Sequence, residues 1–247
     1  MTAPRVHVPE LAAGALALAG DSYHYLANVL RLRAGDELSL FDGAGREASA
    51  RVVRVDGERQ SMELLAEAPL PSTAAAPVPV CLLLALLKAD KMDLVIQKAT
   101  ELGARLLVPV AAARSVVRLA GDRESGRLER WRRGALSAAK QCGRADTLEI
   151  GPVTPLGTAV REAWPDAWKV LLWESAAGEP LRARLPAARP PRVVAAIGPE
   201  GGFAPEEVVL AREAGFTVAG LGPRILRAET AALATLAVIG FALGDLG

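Results

Sequence analysis

Two glycine-punctuated segments carry the residues best suited to hold a ligand. The first begins with the apolar run Val193–Ile197. It continues into Gly198-Pro199-Glu200-Gly201-Gly202 and then a helix start at Pro205-Glu206-Glu207. Glycines after a strand let backbone amides approach a ligand closely, at the sheet edge where open α/β folds place their sites. No Lys-Ser/Thr follows, so this is not a phosphate-binding P-loop, and the spacing fails the GxGxxG dinucleotide pattern. Glu206 and Glu207 already bring negative charge to the helix amino end, which points to a ligand without a pyrophosphate. The second segment, Leu221-Gly-Pro-Arg-Ile-Leu-Arg-Ala-Glu-Thr230, sets Ile225 and Leu226 in a loop between a broken strand and a helix. Aliphatic contacts beside a glycine turn suit a flat adenine. Taken singly, the first pattern also fits an ordinary tight turn, and the second a hydrophobic staple on the last helix. Two such loops at adjacent strand ends make a candidate site.

The elements that must position these loops follow from hydrophobic period. After the site-bearing strand Val193–Gly198, Pro205–Ala214 reads as a helix, Phe216–Leu221 as a strand and Glu229–Leu243 as the last helix. Upstream, Val80–Leu87, Leu106–Val110 and Lys169–Glu174 read as strands. Asp90–Leu102 is an amphipathic helix capped by Asp90 and ended by Gly103, and Asp122–Gln141 is a long basic helix. Strands separated by helices predict a parallel α/β sheet over residues 80–247. Residues 1–70 differ. Arg5–Val8, Glu37–Phe41 and Glu47–Val55 read as strands, with Asp42–Gly45 as a hairpin turn. One helix, capped by Asp21, would present Tyr25, Leu26, Val29 and Leu30 on a single face. This composition predicts a small β-barrel. Residues 71–79, within the four-proline stretch Ala68–Pro79, read as a stiff linker.

Composition narrows the partners. Hydrophobic residues make up 51% and charged residues 23%, a globular balance, and the net charge of +1 gives no long-range field. The charge is unevenly spread, however: residues 1–70 carry a net −3 and residues 98–144 a net +7. A basic stretch in a neutral chain points to local contact with a polyanion. Two cysteines, Cys81 and Cys142, and two histidines, His7 and His24, supply neither a disulfide framework nor a zinc spacing, so no metal is expected. Both histidines and Cys142 read as structural. The apolar run Leu11–Gly20 lacks the basic flank of a signal peptide, and Ala231–Gly244 is too short to span a membrane. A soluble cytoplasmic protein is expected.

Four motifs together carry a specific resemblance. The paired loops Gly198–Gly202 and Leu221–Ala231, the helix Lys88–Gly103, Gln141-Cys-Gly-Arg144 and His24–Asp36 occur in the order found in the RsmE family. These are the 16S rRNA uracil-N3 methyltransferases of the SPOUT superfamily, and the likeness runs over essentially the whole chain. Lys140 departs from the pattern, which has an acidic residue before Gln141. The resemblance implies a PUA-like amino-terminal barrel and a carboxyl-terminal α/β domain tied in a trefoil knot. It further implies S-adenosylmethionine as donor, held by three loops, and N3 of the uridine at position 1498 as acceptor in the assembled small subunit.

On that basis the cofactor-binding residues would be Leu172, Trp173, Glu174, Ile197, Gly198, Pro199, Gly201, Gly202, Leu221, Gly222, Ile225, Leu226, Arg227 and Thr230. Removing the N3 proton leaves charge on the uracil, so a carboxylate and an arginine are wanted. Glu200 is the candidate for acid-base or orienting work and Arg144 for anion stabilisation, with Arg227 and Glu229 in reserve. Arg31, Arg33, Lys91, Lys98, Arg130 and Arg133 are candidate RNA contacts, although each also fits a solvated or ion-paired face. Trp131, amid Arg130, Arg132 and Arg133, reads as core or as a base-stacking ring. The last helix is apolar almost all round, through Ala232, Leu233, Leu236, Ala237, Val238, Ile239, Phe241 and Leu243, which predicts a homodimer. A non-catalytic RNA-binding or ribosome-assembly module is the rival reading. A nucleotide-dependent oxidoreductase lacks its pyrophosphate loop.

Overall fold

The computed structural model describes residues 3–73, 76–117, 122–176 and 179–246. It divides into two compact units: residues 1–75 with 139–147, and residues 76–138 with 148–247. The short stretch Ala139–Thr147, which the sequence reading places in the second domain, thus packs with the first.

In the first unit, strands β1 (Arg5–His7), β2 (Gly14–Ala19), β3 (Glu37–Phe41), β4 (Arg46–Asp56) and β5 (Ser61–Ala66) pair in the order β1-β3-β4-β5-β2. Among the described residues no pairing joins β2 to β1, so the expected barrel is a single path of strands rather than a closed ring. Alternation sends Ala48, Ala50 and Val52 of β4 and Met62, Leu64 and Ala66 of β5 into one core. Strand β6 (Leu70–Pro71) pairs with Arg46 and Glu47 of β4, inside the segment read as linker. The hairpin at Asp42–Gly45 forms as expected, with Gly43 and Gly45 at φ of +77° and +107°. Asp42 fastens it by accepting bonds from the Ala44 and Arg46 amides and from Arg46 Nε. Burial opposes ionisation of Asp42, but those bonds outweigh it and hold the carboxyl below its usual range.

The helix of this unit differs from expectation. Helix α1 (Gly20–Tyr23) starts at Ala19 without a side-chain cap, and Asp21 lies in its first turn. It continues as a π-helical segment, His24–Val29, whose wider turn breaks the 3.6-residue stripe. Tyr23 and Leu26 therefore reach the core while Tyr25, Val29 and Leu30 stay exposed.

The second unit is a parallel sheet of β7 (Val80–Ala85), β8 (Leu106–Ala111), β9 (Glu149–Ile150), β10 (Thr154–Pro155), β11 (Trp168–Leu172), β12 (Val193–Ile197) and β13 (Thr217–Ala219). Its order is β10-β8-β7-β12-β11-β13, with β9 also on β8. Strands β7 and β12 are buried at every residue, as their unbroken apolar runs require when helices cover both faces. One face holds the core of Val95, Ile96, Leu107, Val170, Ile197 and Leu236, and the other that of Leu83, Val110, Leu171, Val194, Phe203 and Val218. The helices are α2 (Ala89–Glu101), α3 (Asp122–Cys142), α4 (Leu156–Glu162), α5 (Pro205–Glu213) and α6 (Ala228–Leu243). Lys88, not Asp90, is the first flanking residue of α2, and Asp90 sits in its first turn. No helix among the described residues is long and apolar enough to cross a membrane.

Candidate functional site

Register builds the site. Leu172, the last residue of β11, pairs with Ile197 at the end of β12 and with Ala219 at the end of β13. Three neighbouring parallel strands thus end level, and the loops that follow them leave one sheet edge together. Between those loops lies a cavity of about 400 Å³. It is walled by Leu172, Trp173 and Glu174 after β11, by Ile197, Gly198, Pro199, Glu200, Gly201 and Gly202 after β12, and by Leu221, Gly222, Ile225, Leu226 and Arg227 after β13. Every candidate cofactor residue lines it except Thr230, which is exposed on α6. Arg224, Ala228 and Ala231 complete the wall. They belong to the Leu221–Ala231 motif; the two alanines are small residues at a helix entry, and Arg224 is a cation beside the Gly222-Pro223 turn.

The glycines act partly through their neighbours. Gly202 has φ of +68°, and a Cβ there would overlap the Glu174 carboxylate. A Cβ on Gly201 would meet Arg114 Cβ at 3.2 Å, and Arg114 donates to the Gly201 carbonyl at 3.0 Å. Gly198 is packed against Phe203, itself fully buried. The first-turn carboxylate of Glu207 accepts from the amides of Ala113 and Ala204, at 2.8 and 2.9 Å. A protein carboxylate therefore already sits at the amino end of α5, bonded to the amide of the flanking Ala204.

Glu200 is bound by Lys91. Lys91 Nζ donates to Glu200 Oε1 at 3.0 Å and lies 3.4 Å from Glu229 Oε2, and its side chain is only 19% exposed. Burial works against ionisation of Glu200, but its own backbone amide and the Lys91 ammonium hold the carboxyl below the ordinary value. The Lys91 ammonium is raised in turn, first by its bond to Glu200. Both lysines, candidate RNA contacts on the polar face of α2, are ion-paired. Lys91 is an inward-facing ion-pair partner, and Lys98 pairs with Glu101 at 2.8 Å.

The remaining candidates separate. Arg144 belongs to the first unit, is 5% exposed, pairs with Asp146 at 2.6 Å and does not line the cavity. Arg130 is paired with Asp93. Arg31, Arg33 and Arg133 are exposed, and Arg31 adopts a left-handed φ of +58° just after the π-helical segment. Trp131 is core. His7 is half-buried and bonded to the Asp42 carbonyl, and burial lowers its pKa. His24 is exposed and bonded to Asn28. Cys142 is exposed, and burial pushes the Cys81 thiol up to about 12.

A parallel sheet with a glycine-walled cavity at its carboxyl edge, preceded in the sequence by a smaller β unit, defines a class. Residues 74–240 match the RNA methyltransferase domain model, and residues 18–59 match the RNA methyltransferase PUA domain model. Within that class, the chain is 35% identical over 231 residues to ribosomal RNA small subunit methyltransferase E of Mycobacterium bovis, covering 92% of this chain and 87% of that one. The Bacillus subtilis protein of the same name is 31% identical, with 91% and 89% covered. The crystal structure of the Neisseria gonorrhoeae ribosomal RNA small subunit methyltransferase E, bound to S-adenosyl methionine, superposes with a TM-score of 0.86 at 30% identity, covering 97% and 98%. The chain belongs to the ribosomal RNA small subunit methyltransferase E (RsmE) family.

Proposed function

We propose that this chain transfers a methyl group from S-adenosylmethionine to N3 of the uridine at position 1498 of 16S rRNA in the assembled small subunit. The observation that carries the reading is the level ending of β11, β12 and β13, whose loops wall one cavity. The residues present suit the donor. Leu172, Ile197, Leu221 and Leu226 offer aliphatic surface to a flat adenine, the glycines expose backbone groups, and the exposed Glu174 carboxylate suits a cationic ligand. When bound, the donor supplies an electrophilic methyl group. The walls would orient it. N3 would lose its proton to solvent and take the methyl on the electron pair so freed, with the neutral thioether S-adenosylhomocysteine as the leaving group.

Glu200, ionised and below the ordinary carboxylate range, is a weak base and so serves better to orient than to abstract that proton. The exposed guanidiniums of Arg224 and Arg227 at the cavity are suited to a uracil carrying negative charge. Arg31, Arg33 and Arg133 remain the proposed RNA contacts, and Arg144 the proposed anion stabiliser. A trefoil knot is supported by the strand order, with β12 lying between β7 and β11. A homodimer on α6 is supported by its two faces. Ala232, Leu236, Ile239 and Leu243 enter the core, whereas Val238 and Phe241, the latter 75% exposed, form an apolar outer stripe.

Nucleoside analysis of small-subunit rRNA from a strain lacking the gene tests the reading. The 3-methyluridine should disappear and return with the wild-type gene. Its persistence would refute the assignment and favour a non-catalytic assembly role.

A further inference from the structure

Lys91 has a place in the site that neither the RNA-contact reading nor the cofactor loops account for. It is the third residue of α2, yet its ammonium reaches two carboxylates that lie far off in sequence, one on a wall of the cavity and one next to another wall. Glu200 belongs to the loop after β12. Glu229 stands in the first turn of α6, beside the wall residue Ala228. The side chains of Lys91, Glu200 and Glu229 are 19%, 29% and 13% exposed, Glu229 being the most enclosed and Glu200 standing at the surface of its loop. Glu229 Oε2 is fully enclosed and finds no hydrogen-bond donor among the described residues, so the Lys91 charge at 3.4 Å is what compensates it. Lys88 adds a favourable field at Glu200 from the same end of α2.

We propose that Lys91 is a positioning residue, a clamp that fixes the loop after β12 and the entry of α6 to one point and so holds the cavity open in its ligand-binding shape. The inference rests on the cavity's being the donor site. An ammonium shared by two carboxylates sets their separation, and the separation of Glu200 and Glu229 sets the spacing of two of the three walls. Removing the ammonium leaves an enclosed carboxylate without a counter-charge and lets the walls move apart.

The test compares Lys91→Met, Lys91→Arg and the double variant Lys91→Met/Glu229→Gln with the wild-type chain. In ligand-free protein, hydrogen exchange should quicken about fivefold or more in Lys91→Met at both residues 199–203 and residues 227–231, while the β7 and β12 amides keep their protection. Lys91→Arg should restore both. S-adenosylmethionine affinity by calorimetry should fall about tenfold in Lys91→Met, within the usual range of a coupling between sites. The double variant should recover the melting temperature, because the orphaned charge is gone, but not the affinity. Exchange that is unchanged, or quickened in one wall only, overturns the clamp. So does a double variant that regains affinity together with stability, since Lys91 would then only neutralise Glu229. Should the wild-type chain bind no S-adenosylmethionine, the donor reading fails, and the exchange data still decide the clamp.

Discussion

Two walls of the same cavity are built in opposite ways. The loop Gly198–Gly202 is tied at almost every residue: Gly202 N–H to the Pro199 carbonyl at 2.9 Å, Arg114 to the Gly201 carbonyl, Lys91 to Glu200, and Gly198 against buried Phe203. The loop Leu221–Arg227 is loose. None of its side chains hydrogen-bonds to another described residue, Ile225 is 86% exposed, and Gly222, at φ of +107°, has no atom within 4 Å of its Cβ position. The contrast separates two kinds of work. A tied wall is ordered before ligand arrives and contributes shape at little entropic cost on binding. A loose wall meets the ligand, the RNA or a second chain with groups not yet committed. The same division sorts the cations. Lys91, Lys98 and Arg130 are paired with Glu200, Glu101 and Asp93, whereas Arg31, Arg33 and Arg133 are exposed.

The sharpest way to break this comparison is a residue swap at the two left-handed glycines. Gly202→Val should be the most damaging substitution in either loop. Backbone strain of about 1–3 kcal/mol adds to displacement of Glu174, and donor affinity should fall more than tenfold by calorimetry. Gly222→Ala meets open space and should cost only the backbone strain, about 1 kcal/mol in chemical unfolding. Equal damage at both positions would erase the distinction between the walls. Next in size is the charge comparison. Arg133→Glu should lower methylation and reduce the salt dependence of RNA binding by about one phosphate contact, while Arg130→Glu, whose guanidinium is already engaged by Asp93, should change that slope less. Ile225→Ala should leave stability within about 0.5 kcal/mol while weakening donor binding several-fold, because the side chain is exposed and yet lines the cavity.

The smallest effect expected is with pH. Glu200 has its carboxyl below the ordinary value of 4.5, so its stabilising contribution is complete above that value and is lost as pH falls through the lowered one. Exchange protection of residues 199–203 should therefore stay level from neutral pH down to about pH 4.5 and decline only below it, once the intrinsic acid dependence of exchange is removed. A decline already under way near pH 6 would mean that Glu200 is not held by Lys91.

Much of this was legible in the chain because glycine and proline mark loops wherever they fall. The punctuation at Gly198–Gly202 and Leu221–Pro223 located both walls, and apolar runs located the strands that carry them. Long-range pairing was not legible. Helical spacing places Lys91 and Lys98 on one polar face, and no local signal shows that carboxylates 109 and 138 positions away meet the first of them. Gly14–Ala19 reads as an undivided apolar run, although in the sheet its residues alternate in burial as β2. Ser61–Ala66 needs its partners Ala50–Asp56 and Gly14–Ala19 to reveal it as β5. The π-helical turn at His24–Val29 defeats a 3.6-residue stripe by construction, leaving Tyr25 and Val29 outside the core. Asp42 looks like any turn aspartate until its buried bonds to Ala44 and Arg46 are seen.

The most direct measurement is a methyl-transfer assay with purified protein, labelled S-adenosylmethionine and small subunits from a strain lacking the gene, read by nucleoside mass spectrometry. One 3-methyluridine per subunit, formed by the wild-type chain and reduced at least tenfold in Gly202→Val, would tie the reaction to the cavity at the ends of β11, β12 and β13. Label in any other nucleoside, or none at all from a folded chain that binds the donor, would contradict it.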